Sequence, residues 1–210
     1  MAINTNPLFE GFSGRVGDLV FRRRNGKTVV YAYNPGSRKS SPAMVKQQKK
    51  FKLVMRLLNP IRPFINQVNP ERKREFTYNR IFSENIRNAT SGDPLNPQID
   101  YEKLKLSLGS VSQAVQIEVK PASDGKLVFN WDGKQPRLSA LADDVAFVAC
   151  YCEELRSWKY ETNLGLRKNK TRVFPIEDFK GKEVHVYFGF KSARFEESSD
   201  SVYLGKIGVV

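Results

Sequence analysis

The chain of 210 residues has room for one large domain or two modest ones. Its 40% hydrophobic and 11% aromatic residues supply a core and exclude wholesale disorder, while two cysteines and one histidine exclude a disulfide-rich scaffold and leave little for metal or acid–base chemistry. The formal charge of +13 is concentrated: residues 11–90 hold 18 Lys+Arg against Asp18, Glu71, Glu75 and Glu84, a net of +14, whereas residues 101–210 hold 17 against 15 acids.

The N-terminus lacks the basic start and apolar run of a secretory signal, and no stretch of about 18 apolar residues is present to cross a membrane. The expectation is a protein kept in a reducing cytoplasm, or built into a particle assembled there, with no membrane partner.

The β-rich run Gly14 to Arg24 leads into Asn25-Gly26 and a second run returns through Lys27 to Tyr33, while the glycines of Gly11 to Gly17 serve turns or a bulge. Asn-Gly between β-rich runs predicts a type I′ hairpin, because both central residues need positive φ. The two-residue loop sets Arg24 opposite Lys27, Arg22 opposite Val29 and Val20 opposite Tyr31. One face then carries Leu19, Phe21, Val30 and Ala32, the expected core side. The other carries Arg22, Arg24, Lys27, Tyr31 and Tyr33, cations beside aromatics, which suits phosphate contacts and stacking or else a solvated edge-protecting ribbon.

Ser41-Pro42 is a cap followed by proline at the first helical position, and the spacing predicts a helix over 42–58. Its apolar stripe is Phe51, Val54, Met55 and Leu58, and Lys49, Lys52 and Arg56 line another face with Lys46 and Lys50 nearby. Asn59-Pro60 and Asn69-Pro70 each break the chain, predicting helices near 60–67 and 70–88. Glu71 suits the positive end of the third helix, and Tyr78, Phe82 and Ile86 fall on one of its faces. The dipeptide Asn-Pro also stands at Asn6, Asn34 and Asn96, each read as an element boundary. The turn-rich stretch Thr90 to Pro97 reads as a linker, dividing a basic hairpin-and-helix module, 1–95, from a second domain, 98–210.

From Tyr101 the hydrophobic period changes to two. Leu104, Leu106 and Leu108 alternate with polar residues, as do Val115, Ile117 and Val119, and Leu127, Phe129 and Trp131. Residues Val145 to Cys152 are apolar on both faces, as a central strand is, and put Cys150 and Cys152 on one face as buried free thiols. Val184, Val186, Phe188 and Phe190 alternate, with His185 opposite. Short strands with turns between them predict an antiparallel sandwich of immunoglobulin or fibronectin III type, with a barrel as the alternative. The fold class is therefore α+β.

No phosphate-binding glycine motif opens a helix, the acidic pairs (Asp143-Asp144, Glu153-Glu154, Glu196-Glu197) form no acid–base constellation, and His185 has no second histidine to share a metal. The expectation is a protein that is not an enzyme and has no cofactor and no metal, with His185 in a structural or surface role.

Gly11 to Gly17 (G-F-S-G-R-V-G), the hairpin after it, Gln47-Gln48-x-Lys50-Phe51, Trp131-Asp132 and the terminal Ser201-Val202-Tyr203-Leu204-Gly205 together resemble a family of uncharacterised proteins found mainly in Bacteroidota. Members tend to carry Asn-Pro-Arg-Thr ahead of the first helix, where this chain has Ser40-Ser41-Pro42-Ala43, and Trp in the hairpin, where it has Arg22-Arg23-Arg24. The resemblance implies an architecture and brings no catalytic residues.

Two functional readings follow. In the first, a structural or interaction protein, a component of a phage-like or other cytoplasmically built assembly, docks an anionic surface through Arg22, Arg24, Lys27, Tyr31, Tyr33, Lys46, Lys49, Lys50, Lys52 and Arg56; an acidic protein surface is its expected partner. In the second, the hairpin and first helix bind nucleic acid.

Overall fold

The computed structural model describes residues 2–3, 11–36, 41–69, 74–134 and 140–210, and the side chains of residues 2 and 74–77 fall outside that description. The boundary read at Asn6, Ser40 ahead of the first helix, Pro70 and the dipole role of Glu71 lie outside the described residues. The chain forms two compact units, residues 1–42 and 43–210.

The first unit is an antiparallel sheet of β1 (Ala2–Ile3), β2 (Gly14–Val16), β3 (Leu19–Arg24) and β4 (Lys27–Ala32) in the order β1-β4-β3-β2. Asn25 and Gly26 have φ of 50° and 77°, and the register pairs Arg24 with Lys27, Arg22 with Val29 and Val20 with Tyr31, as the Asn-Gly loop requires. Within the run Gly14 to Arg24, a glycine serves a turn, as the sequence suggests. Gly17, at φ 56°, turns the chain so that Val16 pairs with Leu19, giving a meander in place of a single hairpin. The expected core side is also corrected. Phe21 is buried, but Leu19 is 46% exposed and Ala32 is exposed, while Val29 on the opposite face is buried. A sheet this small has too few layers to cover a whole face.

The second unit contains α1 (Pro42–Leu58), α2 (Arg62–Val68) and α3 (Arg74–Asn88), then strands only. The helix ends fall at the Asn-Pro steps as expected. On α1 the buried residues are Val54, Leu57 and Leu58, whereas Phe51 and Met55 are 47% and 41% exposed. Phe51 still packs edge-on against Phe82, 4.8 Å between centroids, and Tyr78 stacks on Phe82 at 6.0 Å. The stretch read as a linker is a two-stranded hairpin, β5 (Thr90–Asp93) paired with β6 (Asn96–Ile99). Asp93 makes the turn possible, its carboxylate accepting from the Leu95 N–H.

Two further sheets follow. Strands β7 (Ile117–Ala122), β8 (Lys126–Trp131) and β11 (Thr171–Pro175) run in the order β11-β8-β7. Strands β9 (Val145–Cys152), β10 (Ser157–Leu166), β12 (Glu183–Lys191) and β13 (Val202–Gly208) run in the order β10-β9-β12-β13. All pairings are antiparallel. Leu127, Phe129, Trp131 and Phe174 from the first sheet share a core with Ala146, Val148, Cys150, Cys152, Val184, Val186, Phe188 and Phe190 from the second. Both cysteines are buried and unpaired, and burial raises the Cys150 thiol pKa far above its usual value, which keeps it a packed apolar group rather than a nucleophile.

The other face of the second sheet is covered by the helices. Phe147, Ala149, Tyr151 and Tyr187 share a second core with Val54, Leu58, Ile61, Phe64, Ile65, Val68 and Ile81. Phe64 meets Phe147 edge-on at 5.7 Å, and the Trp158 indole N–H donates to the Leu57 carbonyl at 2.8 Å. Gly189 faces Phe147 across the ladder and leaves room for its ring, where any Cβ would collide with it.

Leu104 and Leu106 are fully buried in this second core, yet residues 101–109 are not a strand, contrary to the alternation. Their backbone groups are satisfied by side chains. Asn85 accepts from the Lys105 N–H at 2.8 Å and donates to its carbonyl at 2.7 Å. Asn69 donates to the Leu106 carbonyl at 3.0 Å and accepts from the Leu108 N–H at 3.2 Å. The Ser201 hydroxyl accepts from Leu106 N–H at 2.8 Å, and the Ser107 hydroxyl donates to the Ser199 carbonyl at 2.7 Å. Asn85 is fully buried, so its loss strands two buried backbone groups. Asn85→Ala is expected to lower stability by about 2–4 kcal/mol, seen as a lower denaturant midpoint with unchanged slope; a midpoint within error of wild type would contradict the role given to Asn85.

Candidate functional site

The basic residues singled out by sequence stand in both units. Lys46, Lys49, Lys50, Lys52 and Arg56 lie on α1, exposed except for the half-buried Lys50. Lys49 is already engaged, its ammonium donating to the Leu95 carbonyl at 2.8 Å in the β5–β6 turn. The others carry charge on the wet side of a helix whose sequence, PAMVKQQKKFKLVMRLL, contains no acid.

Arg22, Arg24, Lys27, Tyr31 and Tyr33 belong to the first unit, and there the register collects them. Directly paired residues share a face, so Arg22 stands beside Val29, Arg24 beside Lys27, and Tyr31 beside Val20. Tyr33 continues the ladder by donating its N–H to the Asp18 carbonyl. Both tyrosines are 37% exposed. The sheet adds a residue that sequence reading missed. Arg15, on β2, pairs with Val20 and therefore joins this face; its guanidinium lies 3.5 Å above the centre of the Tyr33 ring and its Nε donates to the Gly17 carbonyl. The signal available was the Gly-Arg-Val-Gly spacing, which places Arg15 on a strand only once Gly17 is recognised as a turn.

The result is a face with Arg15, Arg22, Arg24 and Lys27 around two tyrosine rings. A cavity of about 490 Å³ opens at it, lined by Arg22, Arg23, Arg24, Val29 and Tyr31. In the whole of residues 1–42 the acids are Glu10 and Asp18, against Arg15, Arg22, Arg23, Arg24, Lys27, Arg38 and Lys39. Arg24 and Lys27 face each other directly across the strands, a repulsive pair that contributes nothing to the fold. Chemically, the arrangement offers fixed hydrogen-bond donors, positive charge and aromatic surface.

A second cavity, about 500 Å³, lies in the larger unit, lined by Asn69, Arg80, Ser110, Glu196, Glu197 and Asp200 among others. Its groups are spoken for: the Ser110 hydroxyl donates to Glu197, the Gly109 N–H to Asp200, and Asn69 holds the 104–108 segment. Among the described residues no group of three or more His, Cys, Asp or Glu side chains is placed to hold a metal ion, and no helix is long and apolar enough to cross a membrane.

His185 is buried on β12, on the face opposite the valines as alternation predicts. Its ring stacks on Tyr101 with 3.8 Å between centroids, and its Nδ1 lies 2.9 Å from the Tyr203 hydroxyl. Its Nε2 is buried without a hydrogen-bond partner, 3.9 Å from the Glu153 carboxylate. Burial lowers its pKa below the usual value, against the opposing pull of Glu153. The neutral form is thus favoured in the fold, so the unfolded chain takes up a proton first as pH falls. His185 is expected to lower stability progressively as pH drops below about 6.5, its unfolded value, with no effect above it. His185→Gln should flatten that acid limb in melting curves measured across pH; an unaltered limb would place the titrating group elsewhere.

Several of the residues that carry the family resemblance have structural roles. Gly14, at φ 107°, and Gly17 shape the first sheet, Trp131 donates to the Arg167 carbonyl at 2.7 Å, Asp132 accepts from the Val115 N–H, and Ser201 and Tyr203 hold the 104–108 segment and His185. One family model matches, over residues 11–205, and its description is that of a family of unknown function. No curated protein matches the chain.

Proposed function

The chain belongs to that family, DUF6266, and because membership brings no activity with it, we propose from the residues themselves a non-enzymatic interaction protein whose first unit docks a partner of dense negative charge. The observation that carries this is the face holding Arg15, Arg22, Arg24 and Lys27 around a cavity lined by three arginines. Like charges set directly opposite each other cost stability, and a solvated face needs no such crowding. Guanidinium groups bind carboxylate and phosphate oxygens through two parallel N–H donors, so several on one face suit a polyanion. The bulk of residues 43–210 we read as an immunoglobulin-like sandwich nearest the fibronectin III arrangement, three strands (β7, β8, β11) facing four (β9, β10, β12, β13), buttressed by helices. That fold hosts many functions and serves here as the rigid body.

The test uses two polyanions of unlike chemistry, poly-glutamate and oligodeoxythymidylate, with the full chain and a variant carrying Arg22→Glu, Arg24→Glu and Lys27→Glu. Wild type is expected to bind at low salt and weaken as salt rises, since exposed charges are screened over about 10 Å at 0.1 M. The variant should lose both ligands while its melting temperature stays within a degree or two, these side chains being exposed. Equal binding by wild type and variant would reduce the cluster to a solvated face.

A further inference from the structure

The face of the first unit is more than a positive patch. Its cations stand in a row beside exposed aromatic rings, and one cation is itself part of the aromatic surface. Tyr31 is on β4 and Tyr33 follows just beyond its end, two residues on, and the Arg15 guanidinium lies 3.5 Å from the centre of the Tyr33 ring. Arg22 and Arg24 are two apart on the neighbouring β3, so their Cα atoms are about 6.6–6.8 Å apart along the strand, with Lys27 across from Arg24 at the tip. Two adjoining groups result along the sheet, one of π surfaces (Tyr31, Tyr33 and the Arg15 guanidinium) level with Val20 and Asp18, and one of phosphate-binding donors (Arg22, Arg24, Lys27) toward the hairpin tip, with Tyr31 reaching the arginine-lined cavity.

Resting on the anion-docking reading, we infer that the first unit binds single-stranded nucleic acid, with bases stacking on Tyr31 and on the Arg15–Tyr33 pair and consecutive phosphates held by Arg22, Arg24 and Lys27. An acidic protein surface needs the cations but gains nothing from exposed ring faces. A duplex keeps its base faces stacked inside and offers only phosphates and groove edges. A single strand supplies both halves at once, unstacked bases for rings and guanidinium planes, and a regular row of phosphates for the cations. Among the described residues, strands β2, β3 and β4 hold no asparagine or glutamine to pair a donor and an acceptor with a base edge, so recognition is by stacking and charge and tolerates sequence. Where the sequence alone pointed to an acidic protein partner, the Arg15–Tyr33 stack shifts the assignment.

The experiment measures fluorescence anisotropy of a labelled oligodeoxythymidylate of about 12 nucleotides, a duplex of the same length and labelled poly-glutamate, each with the full chain. Wild type is expected to bind the single strand most tightly. Replacing Tyr31→Ala and Tyr33→Ala together should weaken the single strand by about five- to a hundred-fold and leave poly-glutamate unchanged. Tyr31→Phe with Tyr33→Phe should keep near-wild-type affinity. Arg15→Lys, which keeps the charge and removes the plane, should weaken the single strand alone; it reports even if the alanine variant fails to fold. Alanine and lysine variants that bind the single strand like wild type, or wild type binding duplex or poly-glutamate as tightly, would overturn the inference while leaving anion docking in place. Absence of binding to every probe would overturn both.

Discussion

Strand β9 has no solvent side, and most of the larger unit follows from that. Its even-numbered residues, Ala146 to Cys152, close one core against the three-stranded sheet; its odd-numbered residues, Phe147, Ala149 and Tyr151, close another against three helices. A strand apolar on both faces must be covered on both, and each covering layer brings constraints of its own. The inter-sheet layer is filled by large rings such as Phe129, Trp131, Phe188 and Phe190. On the helical side the Phe147 ring lies over Gly189 of the neighbouring strand, where a Cβ would collide with it. Helices and sheets therefore share one compact unit.

Packing helices on a sheet leaves the chain between them with a polar problem. Residues 101–109 must cross from α3 and its following hairpin into the sandwich while burying Leu104 and Leu106. They join no strand, so their N–H and C=O groups are met by the side chains of Asn69, Asn85 and Ser201, and the Ser107 carbonyl accepts from the Ser201 N–H. A primary amide carries an NH2 with two donors beside a carbonyl acceptor, and so it can bond a stretch of backbone as a neighbouring strand does. The same economy appears at the end of the sandwich, where Arg167 and Asp144 are both fully buried and paired at 3.2 Å, with Arg167 also donating to the Ser112 carbonyl and lying over Phe190. The desolvation of such a pair is costly, and its partners offset part of that cost while Asp144 Oδ1 and Arg167 Nη1 stay buried without one.

The smaller unit has a different balance. Its sheet leaves Leu19, Val16 and Phe12 largely exposed and carries its cations at the tip, where they repel. Residues chosen for stability alone would not take this pattern, and the contrast with the two well-filled cores of the larger unit is the physical ground for the recognition role we propose for this sheet.

Local chemistry in the sequence already determined much of this. Asn25-Gly26 sets a two-residue turn because both positions adopt positive φ, and from that turn alone follow the pairings of Arg22, Arg24 and Lys27. Asn-Pro steps end helices because the residue before proline avoids helical angles, and alternation along Val184–Phe190 assigns faces because successive side chains point opposite ways. What required the tertiary structure was every question of partner. The alternation of Leu104, Leu106 and Leu108 looks like a strand, yet burial comes from helices and hydrogen bonding from side chains far along the chain. Phe51 and Met55 have helical core spacing but lie beyond the edge of what the sheet covers. Arg15 joins Tyr33 only because Gly17 turns β2 back along β3. Spacing states which residues share a face; only the folded chain decides what that face meets, since the contacts that settle it join residues distant in sequence.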